Sequence, residues 1–475
     1  MSNTRKENAK REKRLLIGTA LMAMGTVFSK AVSLVMVVFY SRWLSAGDYG
    51  SFELFATYVS LLIPVATLSC GEAVFRFLLE DKDERRKKEV ISTALIIMLS
   101  GVGLSVAILS VFRGDLFKQY FLEFLLLYIA ETIYSIMTYS ARGLHKLKEY
   151  AIAGMVNGAI MAISTTILVR VAGLGLSGLI IGTTLGYVAG SLFCVGKVKI
   201  LHYVDFQSVS KETGKEIIGY SAPLIPNSIA WWIANVSDRT FIDIFLGSEY
   251  NGIYSIANKV PSLCITIFNV FHLSWQESTS DIIEAGEDPT NYFNSILQKL
   301  LPTLFSVSIA VLSVNFLLFR YVFDPKYMSG YWHVAILVTA TILSFVAQFF
   351  GGIFIGLKNT KVNGFTTLLA AAVNVVIDLA FIRTIGLFAA SLSTLIAYAF
   401  LFTVRYMIIR RRYKITFGKK GVIYAGIYCY FIVSQYVNIT WLHVVNVAAA
   451  CVLFYVANES FVKSILTKVK NRVAK

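Results

Sequence analysis

The sequence predicts an all-α integral membrane protein of about fourteen transmembrane helices. They form two six-helix lobes related by a pseudo-twofold along the membrane normal, plus an extra C-terminal helix pair. The prediction rests on composition, on the spacing and charge of the apolar runs, and on an internal repeat. Of 475 residues, 56% are hydrophobic and only 15% charged, and the mean hydropathy is +0.66. A soluble protein is nearer a quarter charged, and a single soluble core stops growing well below this length.

Crossing a bilayer core takes roughly 20 apolar residues. Runs that meet this length, or come close, lie at 15–43, 51–79, 90–112, 121–144, 150–170, 174–196, 217–246, 252–275, 296–323, 333–356, 362–382, 384–405, 420–437 and 440–457. The first follows six Lys/Arg within residues 1–14 and is too long for a signal-peptide core, so it reads as a retained helix with the N-terminus in the cytoplasm. With that orientation, 33 of the 44 Lys and Arg fall in cytoplasmic segments and 7 in outer loops. Such asymmetry is the positive-inside pattern. It also absorbs the net charge of +16 without any nucleic acid. The segment 276–295 is acidic and reads as a solvated hinge loop. The five cysteines lie in apolar runs without CxxC spacing, which speaks against a metal or redox pair.

The two halves repeat. Leu44-x5-Gly50-x-Phe52 closes the first span and Leu246-x5-Gly252-x-Tyr254 closes the seventh, 202 residues apart. Gly143-Leu144-x3-Lys148 followed by Arg170-x2-Gly173-Leu174 recurs as Gly356-Leu357-x3-Lys361 followed by Arg383-x2-Gly386-Leu387, 213 residues apart. Six spans per half is even, so both halves enter from the same side, the geometry of transporters that rock two lobes about a central site. The expected organisation is a basic N-terminus (1–14), a first lobe (15–196), a cytoplasmic linker (197–216), a second lobe (217–406), the extra pair (419–457) and a basic cytoplasmic tail (458–475).

The block Tyr220-Ser-Ala-Pro223-Leu-Ile-Pro226-Asn227, Asp238-Arg239, Leu246-Gly247, Gly252-Ile-Tyr254-Ser and Lys259 resembles bacterial polysaccharide biosynthesis proteins, which flip lipid-linked oligosaccharides. Arg42-x-Leu44-Ser45-x3-Tyr49-Gly50, Gly71-x4-Arg76 and Ala141-Arg142-Gly143-Leu144 add to the resemblance, which spans helices one to twelve. That family belongs to a superfamily with multidrug-and-toxin extrusion antiporters and lipid II flippases, the latter also with fourteen spans. The resemblance implies transport of an undecaprenyl-pyrophosphate-linked glycan from inner to outer leaflet of the bacterial cytoplasmic membrane by alternating access. It also implies polysaccharide polymerase and glycosyltransferases as partners.

A charge within a span costs a few kcal/mol on insertion scales and marks a functional position. Lys30 sits near mid-span, too deep to snorkel easily. Arg76, Arg239 and Lys259 join it as candidate ligands for a pyrophosphate, although Arg76 could instead pair with Glu72 at i,i+4. Pro223 and Pro226 interrupt span seven, and Asn227, Trp231 and Asn235 follow as candidate sugar contacts. Pro64 and Pro261 are further flex points. Candidate acids for ion coupling are Glu131, flanked by Tyr128 and Tyr134, then Asp238, and Asp378 near Arg383. No cofactor is expected. There is no GxxxxGK[ST] loop, so an H+ or Na+ gradient or the membrane potential is the expected driving force. A drug antiporter would call for a more acidic cavity. A membrane polymerase or acyltransferase would call for a catalytic loop, and the five scattered histidines form none.

Overall fold

The computed structural model describes residues 28–29, 31–80, 83–111, 115–284, 288–437, 439–459 and 463. The basic N-terminus, Lys30 and most of the C-terminal tail lie outside them. Among the described residues the chain is helical throughout, with no strand. Two compact units emerge, residues 1–232 and 233–475. The division falls inside the seventh span rather than at 197–216.

The first unit holds α1 (Ala31–Trp43), α2 (Ala46–Ala66), α3 (Cys70–Glu80), α4 (Glu84–Val111), α5 (Asp115–Gly143), α6 (Leu147–Thr165), α7 (Gly175–Phe193) and α8 (Lys211–Ser221). Helix α9 (Ile225–Leu246) crosses the division. The second unit continues with α10 (Ser248–Glu284), α11 (Thr290–Leu317), α12 (Tyr331–Gly356), α13 (Thr360–Ile385), α14 (Leu387–Arg410), α15 (Gly418–Gln435) and α16 (Thr440–Ala457). Ten helices among the described residues are long and apolar enough to cross a bilayer. Helices α9, α10 and α15 also have the length but carry more polar residues, and α1 continues into residues that are not described. This is a multi-span membrane protein. Its lipid-facing sides are apolar: Leu104 and Val111 on α4 and Phe365 and Val376 on α13 are all more than half exposed.

Two expectations change. Span two is not one helix: α2 stops at Ala66 and α3 restarts at Cys70, with Leu68 and Ser69 both left-handed (φ 51° and 53°). The only sequence hint was Pro64, one turn earlier. The linker 197–216 packs against the rest of the first unit. Asp205 N–H donates to the Ser92 hydroxyl (2.8 Å), Arg86 pairs with Glu216, and α8 lies against α3 and α4. The acidic segment is largely helix, since α10 runs on to Glu284. Span seven is interrupted as expected, by a 3-10 turn at Ala222–Leu224 carrying Pro223, whereas Pro261 sits within a continuous α10.

The repeat is visible in the backbone. Helix α5 ends with Leu144, His145 and Lys146 N–H donating to the Ser140, Arg142 and Ala141 carbonyls. Helix α12 ends with Leu357, Lys358 and Asn359 N–H donating to the Ile353, Ile355 and Phe354 carbonyls. Each donor and acceptor is displaced by the same 213 residues. His145 (φ 58°) and Lys358 (φ 57°) occupy the left-handed position where glycine is preferred. A Cβ there costs about 1–2 kcal/mol, partly offset by glycine's own entropy. His145→Gly and Lys358→Gly are therefore expected to raise stability by about 1 kcal/mol each, read as a higher thermal midpoint in detergent. An unchanged or lower midpoint for both would contradict the strain argument. Lys358 also bridges Glu284 (3.3 Å), but both groups are well exposed and that pair adds little.

Helices α6 and α7 meet along a glycine stripe, Gly178-x3-Gly182-x3-Gly186-x3-Gly190. A Cβ on Gly182 would lie 2.7 Å from the Thr165 backbone N, and one on Gly186 would lie 2.8 Å from Asn157 Oδ1. Small residues at four-residue spacing let membrane helices approach closely. The Ser164 hydroxyl then donates across the contact to the Gly182 carbonyl (2.8 Å).

Candidate functional site

Two adjoining cavities open within the first unit. The first, about 330 Å3, lies where span two breaks and is lined by Pro64, Thr67, Ser69, Glu72, Tyr139, Trp231 and Trp232, among others. Gly71 builds it: a Cβ would stand 2.6 Å from the Tyr139 ring, so its absence lets that ring reach Glu72, to which the phenol donates (2.8 Å). Trp232 is fixed by its indole N–H on the Thr57 carbonyl (2.9 Å), while Trp231 is 60% exposed. The second cavity, about 380 Å3, shares Ile63 and Ser135 with the first and holds Glu131, Tyr134, Tyr150, Asn157 and Tyr187. The Tyr187 hydroxyl faces the Glu131 carboxyl, and the Tyr134 and Tyr187 rings lie 5.5 Å apart. Gly190 makes room for the Tyr134 ring, 2.6 Å from where its Cβ would be. Aromatic faces beside carboxylates and hydroxyls provide apolar platforms and acceptors at once, the chemistry that a polyhydroxylated ring requires.

Close to the first cavity, the Arg142 guanidinium packs on Phe75 (4.4 Å), Tyr139 (5.7 Å) and Tyr150 (5.8 Å), and its Nε has no hydrogen-bond partner among the described residues. Arg76 lies over the Tyr220 ring (4.8 Å). Aromatic walls hold both cations in place, and the unpartnered Nε of Arg142 can still donate to an anion.

The second unit carries a buried polar cluster where α9, α10, α13 and α14 converge. Asp238 Oδ2 accepts from the Tyr254 hydroxyl (2.7 Å) and the Thr394 hydroxyl (2.8 Å). The Asn374 amide, turned so that its nitrogen faces Asp238 Oδ1 (3.2 Å), donates to the other oxygen. Asp378, one turn along α13 from Asn374, is fully buried and within electrostatic reach of Asp238. The Ser393 hydroxyl faces its carboxyl but is shared with the Ala390 carbonyl (2.8 Å), so the carboxyl oxygens are poorly satisfied. Two carboxylates in low dielectric with too few donors are costly. A proton or a small monovalent cation would relieve that cost, and the oxygen-rich donor set suits either.

Comparison with known proteins fixes the family. Residues 15–273 match the polysaccharide biosynthesis protein family. The chain belongs to that family. An uncharacterized membrane protein of Methanocaldococcus jannaschii is 20% identical over 395 residues, which is 78% of this chain and 92% of that protein. The fold is similar to that of the lipid II flippase MurJ in an inward closed conformation (TM-score 0.71, 13% identity, 94% of this chain and 100% of that one). It is also similar to an inward-facing multidrug resistance MATE family transporter of the MOP superfamily (TM-score 0.65, 15% identity, 80% of this chain and 95% of that one). The fold is thus that of membrane transporters and flippases.

Of the residues singled out in the sequence, Trp231 lines the first cavity, and Arg76 lies in the same unit over Tyr220. Arg239 and Lys259 lie half-buried on α9 and α10 in the second. Lys30 and the side chains of Asn227 and Asn235 are outside the described set. Glu131 lines the second cavity, where its partner is Tyr187. The flanking Tyr128 turns into the core and meets Ser105 (2.9 Å). Asp378 is not bridged by Arg383, which instead covers the Phe245 ring (4.8 Å). Glu72 is engaged by Tyr139. Sequence reasoning missed Tyr139, Tyr187, Asn157, Tyr254, Asn374 and Thr394. Asn374 and Asp378, four apart within one span, were the legible signal.

The repeat separates scaffold from site. At the matching offsets, Met36, Phe52, Met161, Thr165 and Ile181 stand where the second unit has Asp238, Tyr254, Asn374, Asp378 and Thr394. Conversely, Ser344, Ala347, Ala370 and Phe400 stand where the first unit has Glu131, Tyr134, Asn157 and Tyr187. One copy is hollow where the other is packed, and polar where the other is mainly apolar. A duplicated scaffold alone would need neither.

Proposed function

We propose that this protein flips an undecaprenyl-pyrophosphate-linked oligosaccharide from the inner to the outer leaflet of a bacterial cytoplasmic membrane, by alternating access. Both termini are cytoplasmic, and glycosyltransferases and a polymerase act before and after it. The observation that carries the reading is the pair of aromatic, hydroxyl- and carboxylate-lined cavities at the break in span two. Trp231, Tyr139 and Glu72 supply sugar contacts. Arg142 and Arg76, with Lys30, Arg239 and Lys259, supply charge for the pyrophosphate. Asp238 and Asp378 take the proton or monovalent cation whose gradient drives the cycle, with Glu131 as a third titratable group. Family membership supports the glycan class.

Trp231→Ala and Glu72→Gln are expected to slow flipping of a lipid-linked oligosaccharide in proteoliposomes about ten-fold each, the equivalent of one lost stacking or charged contact. Membrane insertion should be unchanged. Wild-type rates in both variants would refute the sugar site. A second reading, lipid II as cargo, is favoured by the whole-length structural match to MurJ and shares the same pyrophosphate chemistry. Parallel assays with lipid II and with an organic cation separate it, and the drug-antiporter reading, from the first.

A further inference from the structure

A third cavity, about 530 Å3, lies in the second unit between the first turns of α11 and α15. Lys299, Lys419 and Lys420 line it together with Asn294, Gln298 and Gly418, and no carboxylate does. Its form is built by specific contacts. The Asn294 amide donates to the Lys414 carbonyl and accepts from the Thr416 N–H, both at 2.8 Å. The Gln298 amide donates to the Thr416 hydroxyl (2.9 Å). Gly418 has φ 69°, and a Cβ there would stand 2.7 Å from the Gln298 side chain, so glycine is required twice over. The loop is thereby held where three lysines line one space.

Like charges so placed repel unless an anion joins them. Glu459, whose charge Lys420 senses, is already held by Lys463 at 2.5 Å. Just beyond Lys420 the surface becomes apolar: Val422 and Ile423 are 64% and 58% exposed. A cationic cavity at the end of a span, continuous with an exposed apolar helix face, has the chemistry of an anionic headgroup joined to acyl chains.

We propose that this cavity binds the phosphate headgroup of an anionic phospholipid, with the acyl chains along α15. The site rests on reading α11 and α15 as spans, and on no claim about cargo. The extra helix pair then has a role of its own, as one wall of a lipid site.

The test uses the full-length protein exchanged into nanodiscs containing phosphatidylglycerol or phosphatidylcholine, with retained lipid counted by native mass spectrometry. Wild type should retain phosphatidylglycerol preferentially. Each of Lys299→Gln, Lys419→Gln and Lys420→Gln should lower that retention about five-fold, the expectation for one cation near a headgroup. Lys358→Gln with Lys361→Gln removes charge outside the cavity and should not. Equal retention of the two lipids by wild type, or equal loss in the outside control, overturns the site. Displacement of phosphatidylglycerol by equimolar undecaprenyl pyrophosphate would reassign the cavity to the cargo and overturn the proposal as stated. The thermal midpoint in phosphatidylcholine, unchanged in the variants, separates loss of binding from loss of fold.

Discussion

Asp378→Asn is expected to lower gradient-driven transport roughly 5- to 150-fold while leaving the protein at least as stable as wild type. Among the described residues, the oxygens of this buried carboxyl face only a shared Ser393 hydroxyl and are poorly satisfied, and Asp238 lies within electrostatic reach. For stability alone the carboxylate is a poor choice. An amide of the same shape removes the repulsion and the cost of burying a second charge, a gain of about 1 kcal/mol. Coupling between an ion and cargo is typically worth about 1–3 kcal/mol, so its loss should lower gradient-driven flux roughly 5- to 150-fold. Asp238→Asn should lose flux similarly but gain no stability, because the Tyr254, Thr394 and Asn374 donors already satisfy the carboxylate it replaces. Flux measured in proteoliposomes with and without an imposed proton or sodium gradient, beside a thermal midpoint, tests both claims. Gradient-driven flux at wild-type level in Asp378→Asn would remove this residue from coupling. A fall in both flux and midpoint would make its role structural.

What the sequence made legible follows from what membranes enforce. Apolar length and Lys/Arg asymmetry are bulk requirements of the bilayer, so each of the fourteen runs coincides wholly or in part with a helix. The turns after Gly143 and Gly356 were legible because the same residues recur at the same spacing 213 positions apart, even though the left-handed residues, His145 and Lys358, are not glycine. The break at Leu68–Ser69 was not, because it has no such repeat and no glycine: two ordinary residues adopt a strained conformation beside the cavity. Such strain tends to gather at functional positions. The partners of the acids were hidden for a different reason. Tyr187 is 56 positions from Glu131, and Thr394 is 156 from Asp238. No local pattern announces a contact between helices that distant in the chain. A one-dimensional reading found the charges, since charge in an apolar run is conspicuous, but could not say which neutral groups receive them. The assignment of Asp378 to Arg383 shows the bias toward near neighbours.

Gly182→Val is expected to cause the largest loss of stability of any change considered. The stripe on α7 brings its backbone against α6, and at Gly182 even the first added carbon would stand 2.5 Å from Thr165 Cγ2, 2.7 Å from its N and 2.8 Å from its Cα. Two of those three atoms are backbone, so no rotamer change relieves the clash and the helices must separate. Overpacking typically costs about 1–3 kcal/mol when side chains can yield. Here they cannot, and valine adds two further carbons, so the expected loss is at or above about 3 kcal/mol. Separation would also break the Ser164 hydroxyl bond to the Gly182 carbonyl and move Gly186 and Gly190 off Asn157 and Tyr134, which wall the Glu131 cavity. Gly103→Val is the matched control, because nothing lies within 4 Å of its Cβ position on α4. A thermal midpoint in detergent near wild type for Gly103→Val and strongly lowered for Gly182→Val is the expected pair. Equal midpoints would mean that the two helices are not held by the stripe, and the shape of the Glu131 cavity would need another cause.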